Sequence, residues 1–97
     1  MKIKLTAKGY NSNSGTIATQ TLETCVTPET VGYVTGKLIY TIESSGFRID
    51  THEVYLDFMK SISRLNLGIL SDRYFPVLSN KKFGDNIKIT ISLANNI

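Results

Sequence analysis

The sequence predicts an α+β fold: an antiparallel sheet of four to five strands, with one main helix at about 51–66 packed on one face. Three stretches carry that reading. Near the C-terminus Ile87, Ile89, Ile91 and Leu93 alternate with Lys88, Thr90 and Ser92. Near the N-terminus Ile3, Leu5 and Ala7 alternate with Lys2, Lys4, Thr6 and Lys8. A period of two is the mark of a half-buried strand, so both ends read as strands with an aliphatic inner face and an outer face of lysine and hydroxyl groups. Between them Val54, Phe58, Ile62 and Leu65 form a stripe at helical spacing, opposite Glu53, Asp57, Lys60 and Arg64.

The elements follow in order. After the first strand, Tyr10-Asn11-Ser12-Asn13-Ser14-Gly15 has turn chemistry, because Asn and Ser bond their own backbone and Gly accepts positive φ. Thr16 to Val26, rich in threonine and β-branched residues, is its hairpin partner. There Ile17 falls on one parity and Ala18, Leu22 and Val26 on the other, which suggests a bulge or an edge position.

Residues 27–47 support two readings. Thr27-Pro28-Glu29 resembles a helix start, and Val31, Val34, Leu38, Ile39 and Ile42 fit helical spacing. Val34, Gly36, Leu38, Tyr40 and Ile42 also alternate. Two glycines and many Val, Thr, Tyr and Ile residues favour a strand at about 33–43 after a turn at 27–31. The alternative, helix over 28–44, gives two helices on a smaller sheet.

The main helix has Asp50 or Thr51 as cap, with Glu53 in the first turn. Asn66 and Gly68 are its expected stop. Arg73 to Ser79 is a strand that Pro76 confines to an edge, and Asn80-Lys81-Lys82-Phe83-Gly84-Asp85 is the loop into the last strand.

Ninety-seven residues form a single domain, 1–97, since so short a chain cannot divide into two cores. Hydrophobic content of 41% with 20% charged residues is ordinary for a globular protein and argues against disorder. No apolar run reaches the roughly 20 residues of a membrane span, and no apolar stretch follows the first lysines as a secretory signal requires. The single cysteine, Cys25, cannot form an internal bridge and reads as a small apolar residue at a strand end. The expected location is cytoplasmic.

Catalytic marks are few. His52 stands between Asp50 and Glu53, but neighbouring helical positions diverge, and position 56 is Leu where a zinc helix needs a second imidazole. Gly32-Tyr33-Val34-Thr35-Gly36-Lys37 has one residue too few for a phosphate loop, and Leu38 stands where magnesium needs a hydroxyl. Ser44 and Ser45 before Gly46 make a turn. No catalytic residue, metal site or cofactor is assigned.

The function reading therefore falls on the surface, and the sequence alone does not name an activity. The net charge of +3 is uneven: residues 1–10 carry +3, 11–30 carry −2, 31–64 cancel and 65–97 add +2. Candidate binding residues are Lys2, Lys4, Lys8, Lys88, Arg73, Lys81 and Lys82, an electrostatic footprint that lies on one face if the terminal strands are neighbours. Phe83 joins them as an apolar ring at a loop tip, which either folds back on the core or anchors a partner. The first reading is a small non-enzymatic protein-binding module: an adaptor, an inhibitor, or a subunit that self-associates through strand edges. Lysine exceeding arginine, with abundant Asn and Ile, fits an AT-rich source such as a phage or mobile element. The second reading is nucleic-acid binding through the lysine-bearing sheet face, with no membrane partner in either case. A cofactor-free enzyme ranks third.

Overall fold

In the computed structural model, which describes residues 1–95, the chain runs β1 (Lys2–Asn11), β2 (Thr16–Cys25), α1 (Val31–Ser44), α2 (Thr51–Ile62), a single 3-10 turn at Leu67–Ile69, β3 (Phe75–Phe83) and β4 (Ile87–Ala94). The four strands form one antiparallel sheet in the order β2-β1-β4-β3. Each terminal hairpin supplies two neighbouring strands, and β1 and β4 join at the centre, from Lys2 opposite Ala94 to Lys8 opposite Lys88. This is the α+β architecture the alternating ends predict, with four strands and two helices.

The helices share one sheet face. Ile3, Leu5 and Ala7 of β1 and Ile87, Ile89, Ile91 and Leu93 of β4 point there and are fully buried. They meet Val31, Ile39 and Ile42 of α1 and Val54, Phe58 and Ile62 of α2 in one continuous core. Burying apolar area at roughly 25 cal/mol per Å² is the main force that holds the layers together.

The strand expected at about 33–43 is helix α1. The buried positions are Val31, Thr35, Ile39 and Ile42, which follow a helical period, while Tyr40, on the alternating parity, is exposed. The glycines that argued against helix sit where α1 faces α2. A Cβ on Gly36 would lie 3.4 Å from the Tyr55 ring, and one on Gly32 would lie 3.5 Å from the Met59 side chain, ordinary contact distances. Burial of the Val31, Ile39 and Ile42 stripe in the shared core overrides a weak propensity. The helix begins at Val31, after a turn in which the Thr27 and Thr30 hydroxyls lie 3.1 Å apart.

Helix α2 starts as expected: the Asp50 side chain accepts the Glu53 N–H at 3.1 Å. It ends at Ile62 and not at 66. In its last turn the Ser61 and Ser63 hydroxyls donate back to the Asp57 and Lys60 carbonyls. Asn66 instead caps the 3-10 turn, accepting the Gly68 N–H at 3.0 Å.

β3 is an edge strand, as Pro76 requires. It extends through the stretch expected as loop, to Phe83, with register shifts between Pro76 and Leu78 and between Leu78 and Lys81. The tight turn to β4 depends on Gly84 at φ +56°, where a side chain would run into the backbone of Arg48 and Ile49. Among the described residues no helix is long and apolar enough to cross a membrane.

Candidate functional site

The sheet face away from the helices is open at the end that carries Lys8 and Tyr10. Residues directly opposite on paired strands share a face, so the register places Lys8 of β1, Lys88 of β4 and Lys82 of β3 side by side on it. Three ammonium groups thus cross three strands in one transverse row, on a strand spacing of about 4.8 Å. Among the described residues none of the three has a carboxylate within ion-pair distance. Like charges set opposite one another weaken a sheet. A row of this kind therefore works against stability.

The row has polar and aromatic neighbours. Thr19 of β2 lies opposite Lys8, and Tyr10, two residues along the same face, lies opposite Ile17. Tyr10 is 50% exposed and Ile17 69%. Towards the sheet centre the Thr6 and Thr21 hydroxyls are 3.1 Å apart, with Thr90 on the other side of Thr6.

The far end of the same face is neutralised. Lys2 pairs with Glu23 at 3.3 Å, and the Lys4 ammonium lies 4.4 Å from the centre of the Tyr74 ring. The Tyr74 hydroxyl is closed off from solvent beside the Glu23 carboxylate. Burial, reinforced by that carboxylate, pushes the phenol up to about 12. Tyr74 and then Lys2 hold the Glu23 carboxyl below its ordinary value. Ser92 and Ala94, which share this end of the face, are buried, and Asn95 N–H bonds the Ser71 carbonyl just before it.

The candidate residues from the sequence thus separate into groups. Lys8, Lys82 and Lys88 form the free row. Lys2 and Lys4 share the face but are engaged. Arg73 is exposed beside Tyr74 at the opposite end from the row, where the Ser71 hydroxyl donates to its carbonyl. Lys81 points to the helix side and donates to Asp57 of α2 at 2.9 Å, so it leaves the footprint. Phe83 is only 3% exposed, opposite Ile87 in the core; the ring folds back and offers no anchor. Cys25 does end a strand, but its side is exposed.

A second surface lies on the helix layer. Tyr33, Tyr40 and Tyr55 with Gly32, Gly36 and Lys37 line a shallow groove of about 320 Å³ between α1 and α2. Tyr33 and Tyr40 are each about two-thirds exposed, and Lys37 lies 4.8 Å from the Tyr33 ring centre. Sequence reading missed this surface because it took residues 33–43 as strand, which separates Tyr33 from Tyr40; at helical spacing they lie on one side. A larger cleft of about 510 Å³ at the end of the sheet is lined by Ser12, Gly46, Arg48, Asp50 and Asp85, with Arg48 and Asp85 3.7 Å apart.

No family model, curated protein or solved structure matches this chain.

Proposed function

We propose that the chain binds the phosphate backbone of nucleic acid across the open face of its sheet. The observation that carries this reading is the row Lys8–Lys88–Lys82, three cations side by side, without a carboxylate partner among the described residues, on a face the helices leave uncovered. Lysine supplies a point charge suited to phosphate, and a row one strand apart follows a backbone of repeating charges. Tyr10 beside the row offers a stacking surface, and the flanking threonines offer hydroxyls to phosphate or sugar. An exposed sheet with an aromatic ring favours single strands, whose bases are free to stack. With one ring, the binding is weakly sequence-selective.

The test is fluorescence anisotropy with labelled single-stranded DNA and RNA at low and moderate salt. Three phosphate contacts give a salt slope of about −2 on single strands, hence roughly a twentyfold loss of affinity for a fourfold rise in salt. The triple variant Lys8→Gln/Lys82→Gln/Lys88→Gln should abolish that binding. Flat titrations at low salt, or binding unchanged in the triple variant, would refute the proposal.

The protein-binding module ranked first from sequence is the second reading, favoured by the exposed tyrosines of the α1–α2 groove. Tyrosine combines a large apolar ring with a polar tip and suits interfaces. A partner captured equally well by the wild type and by Tyr33→Ala/Tyr40→Ala would remove the groove from consideration.

A further inference from the structure

The two edges of the sheet differ. β3 carries the devices that keep an edge from pairing: Pro76 without an N–H, two register shifts, and Lys81 and Lys82. Asn80 adds a positive φ of 59°. β2 carries none of them. Its ten residues pair with β1 in unbroken register from Thr16 to Cys25, and its single charge, Glu23, is tied to Lys2. A long, regular and nearly uncharged edge presents a ladder of free N–H and C=O groups to any strand that fits.

We propose that β2 pairs antiparallel with β2 of a second copy, centred on Gln20, to give one continuous eight-stranded sheet. The sequence of the edge selects its own copy. Around a two-fold axis at Gln20, Thr19 stands opposite the copy's Thr21, Ala18 opposite Leu22, and Ile17 opposite Glu23, so no like charges meet. Centring on Thr19 or Thr21 sets Gln20 against Ala18 or Leu22 on the half-buried helix side. The Gln20 register pairs Ala18 with Leu22 there and leaves its one mixed pair, Ile17 with Glu23, on the exposed face. At the axis two glutamine amides face each other, and each can donate to and accept from the other.

The helix side gains from the same arrangement. Ala18, Gln20 and Leu22 are only half-buried there. Val34 and Leu38, also half-buried, lie on the flank of α1 about 200° around from Gly32 and Gly36 and hence away from α2. Pairing would cover this unfinished apolar strip with its own counterpart.

The axis of such a pair runs perpendicular to the sheet, so both open faces point the same way. Lys8 lies opposite Thr19, so the two lysine rows are offset by two residues, about 7 Å, along the strands, with the two β2 strands between them. The dimer would carry two lysine rows on one face, together spanning roughly 35 Å and separated by the threonines of the two β2 strands. The role of those rows rests on the binding proposed above; the dimer does not.

The experiment is sedimentation equilibrium over a dilution series without nucleic acid. The wild type should approach twice 10.8 kDa at high concentration and dissociate on dilution. Thr19→Lys/Thr21→Lys places lysine against lysine on both sides of the axis, on exposed positions that leave the core intact. It should weaken self-association about tenfold or more, with an unchanged circular dichroism spectrum. Gln20→Cys in a Cys25→Ser background should oxidise to a linked dimer, since residues directly opposite have Cα atoms about 5 Å apart. A chain that stays monomeric with no 20–20 link overturns the proposal, as does a dimer indifferent to the two lysines. Lys8→Gln/Lys82→Gln/Lys88→Gln should keep the dimer mass whatever happens to nucleic-acid binding, so either proposal can fail alone.

Discussion

Lys88 sits between two like charges, and removing its charge should make the protein more stable. The perturbation is Lys88→Gln, which keeps the length and polarity of the side chain. Its neighbours are Lys8 on one side and Lys82 on the other. With the ammonium groups splayed to about 7 Å, each pair repels by roughly 0.6 kcal/mol in water. Screening at about 0.1 M salt halves this. Two pairs then total roughly 0.6 kcal/mol at moderate salt and about 1.2 kcal/mol at very low salt. For a domain of this size the first figure corresponds to a rise in Tm of about 2–5 °C. Lys8→Gln and Lys82→Gln each relieve one nearest neighbour and should give about half the gain. The assay is thermal unfolding by circular dichroism at several salt concentrations. A Tm that is unchanged or lower at low salt, or a gain that does not shrink with added salt, would refute the claim that the row works against the fold.

Three other outcomes are expected. Gly84→Ala should lose about 2 kcal/mol or more in urea unfolding, because a Cβ there would meet the Arg48 carbonyl and come within 2.9 Å of the Ile49 Cα at positive φ. Thr35→Val should gain about 1 kcal/mol in the same assay, since the Thr35 hydroxyl is buried with no hydrogen-bond partner. The Tyr74–Glu23 contact should make stability depend on pH at both ends. Tyr74 titrates higher in the fold than its ordinary 10.0, so its contribution is complete below pH 10.0 and vanishes as pH rises towards about 12. Glu23 titrates lower than 4.5, so its contribution is complete above that value and fades in more acidic solution. Urea midpoints against pH should show both windows in the wild type and a flatter alkaline limb in Tyr74→Phe.

The parts of the fold legible in the sequence were those where one face is buried over several residues. β1, β4 and the stripe of α2 each repeat their apolar positions without interruption, so local pattern and tertiary burial agree. Residues 31–44 satisfied two periods at once. What decided between them was the burial of Val31, Ile39 and Ile42 against the sheet and α2, a contact between segments that no local window contains. The same limit applies to the site. Alternation placed Lys8 and Lys88 on the outer face, yet that they stand opposite one another depends on the β1–β4 register. Lys81 and Lys82 are adjacent in sequence and part to opposite faces, one to Asp57 and one to the row. Phe83 looked like a loop tip because Gly84 follows it, but β3 runs on to that point and carries the ring inward.

The centre of the sheet joins the second residue of the chain to the ninety-fourth. During synthesis β1 is made before β4, so its β4 edge stays unpaired while the intervening residues 12–86 are added. Loop closure of that span is slow compared with the formation of either hairpin. During that interval Ile3, Leu5 and Ala7 lack their β4 neighbours, and the nascent chain presents two half-finished apolar surfaces. Those surfaces and the unpaired edge of β1 are where a nascent chain would meet chaperones or aggregate.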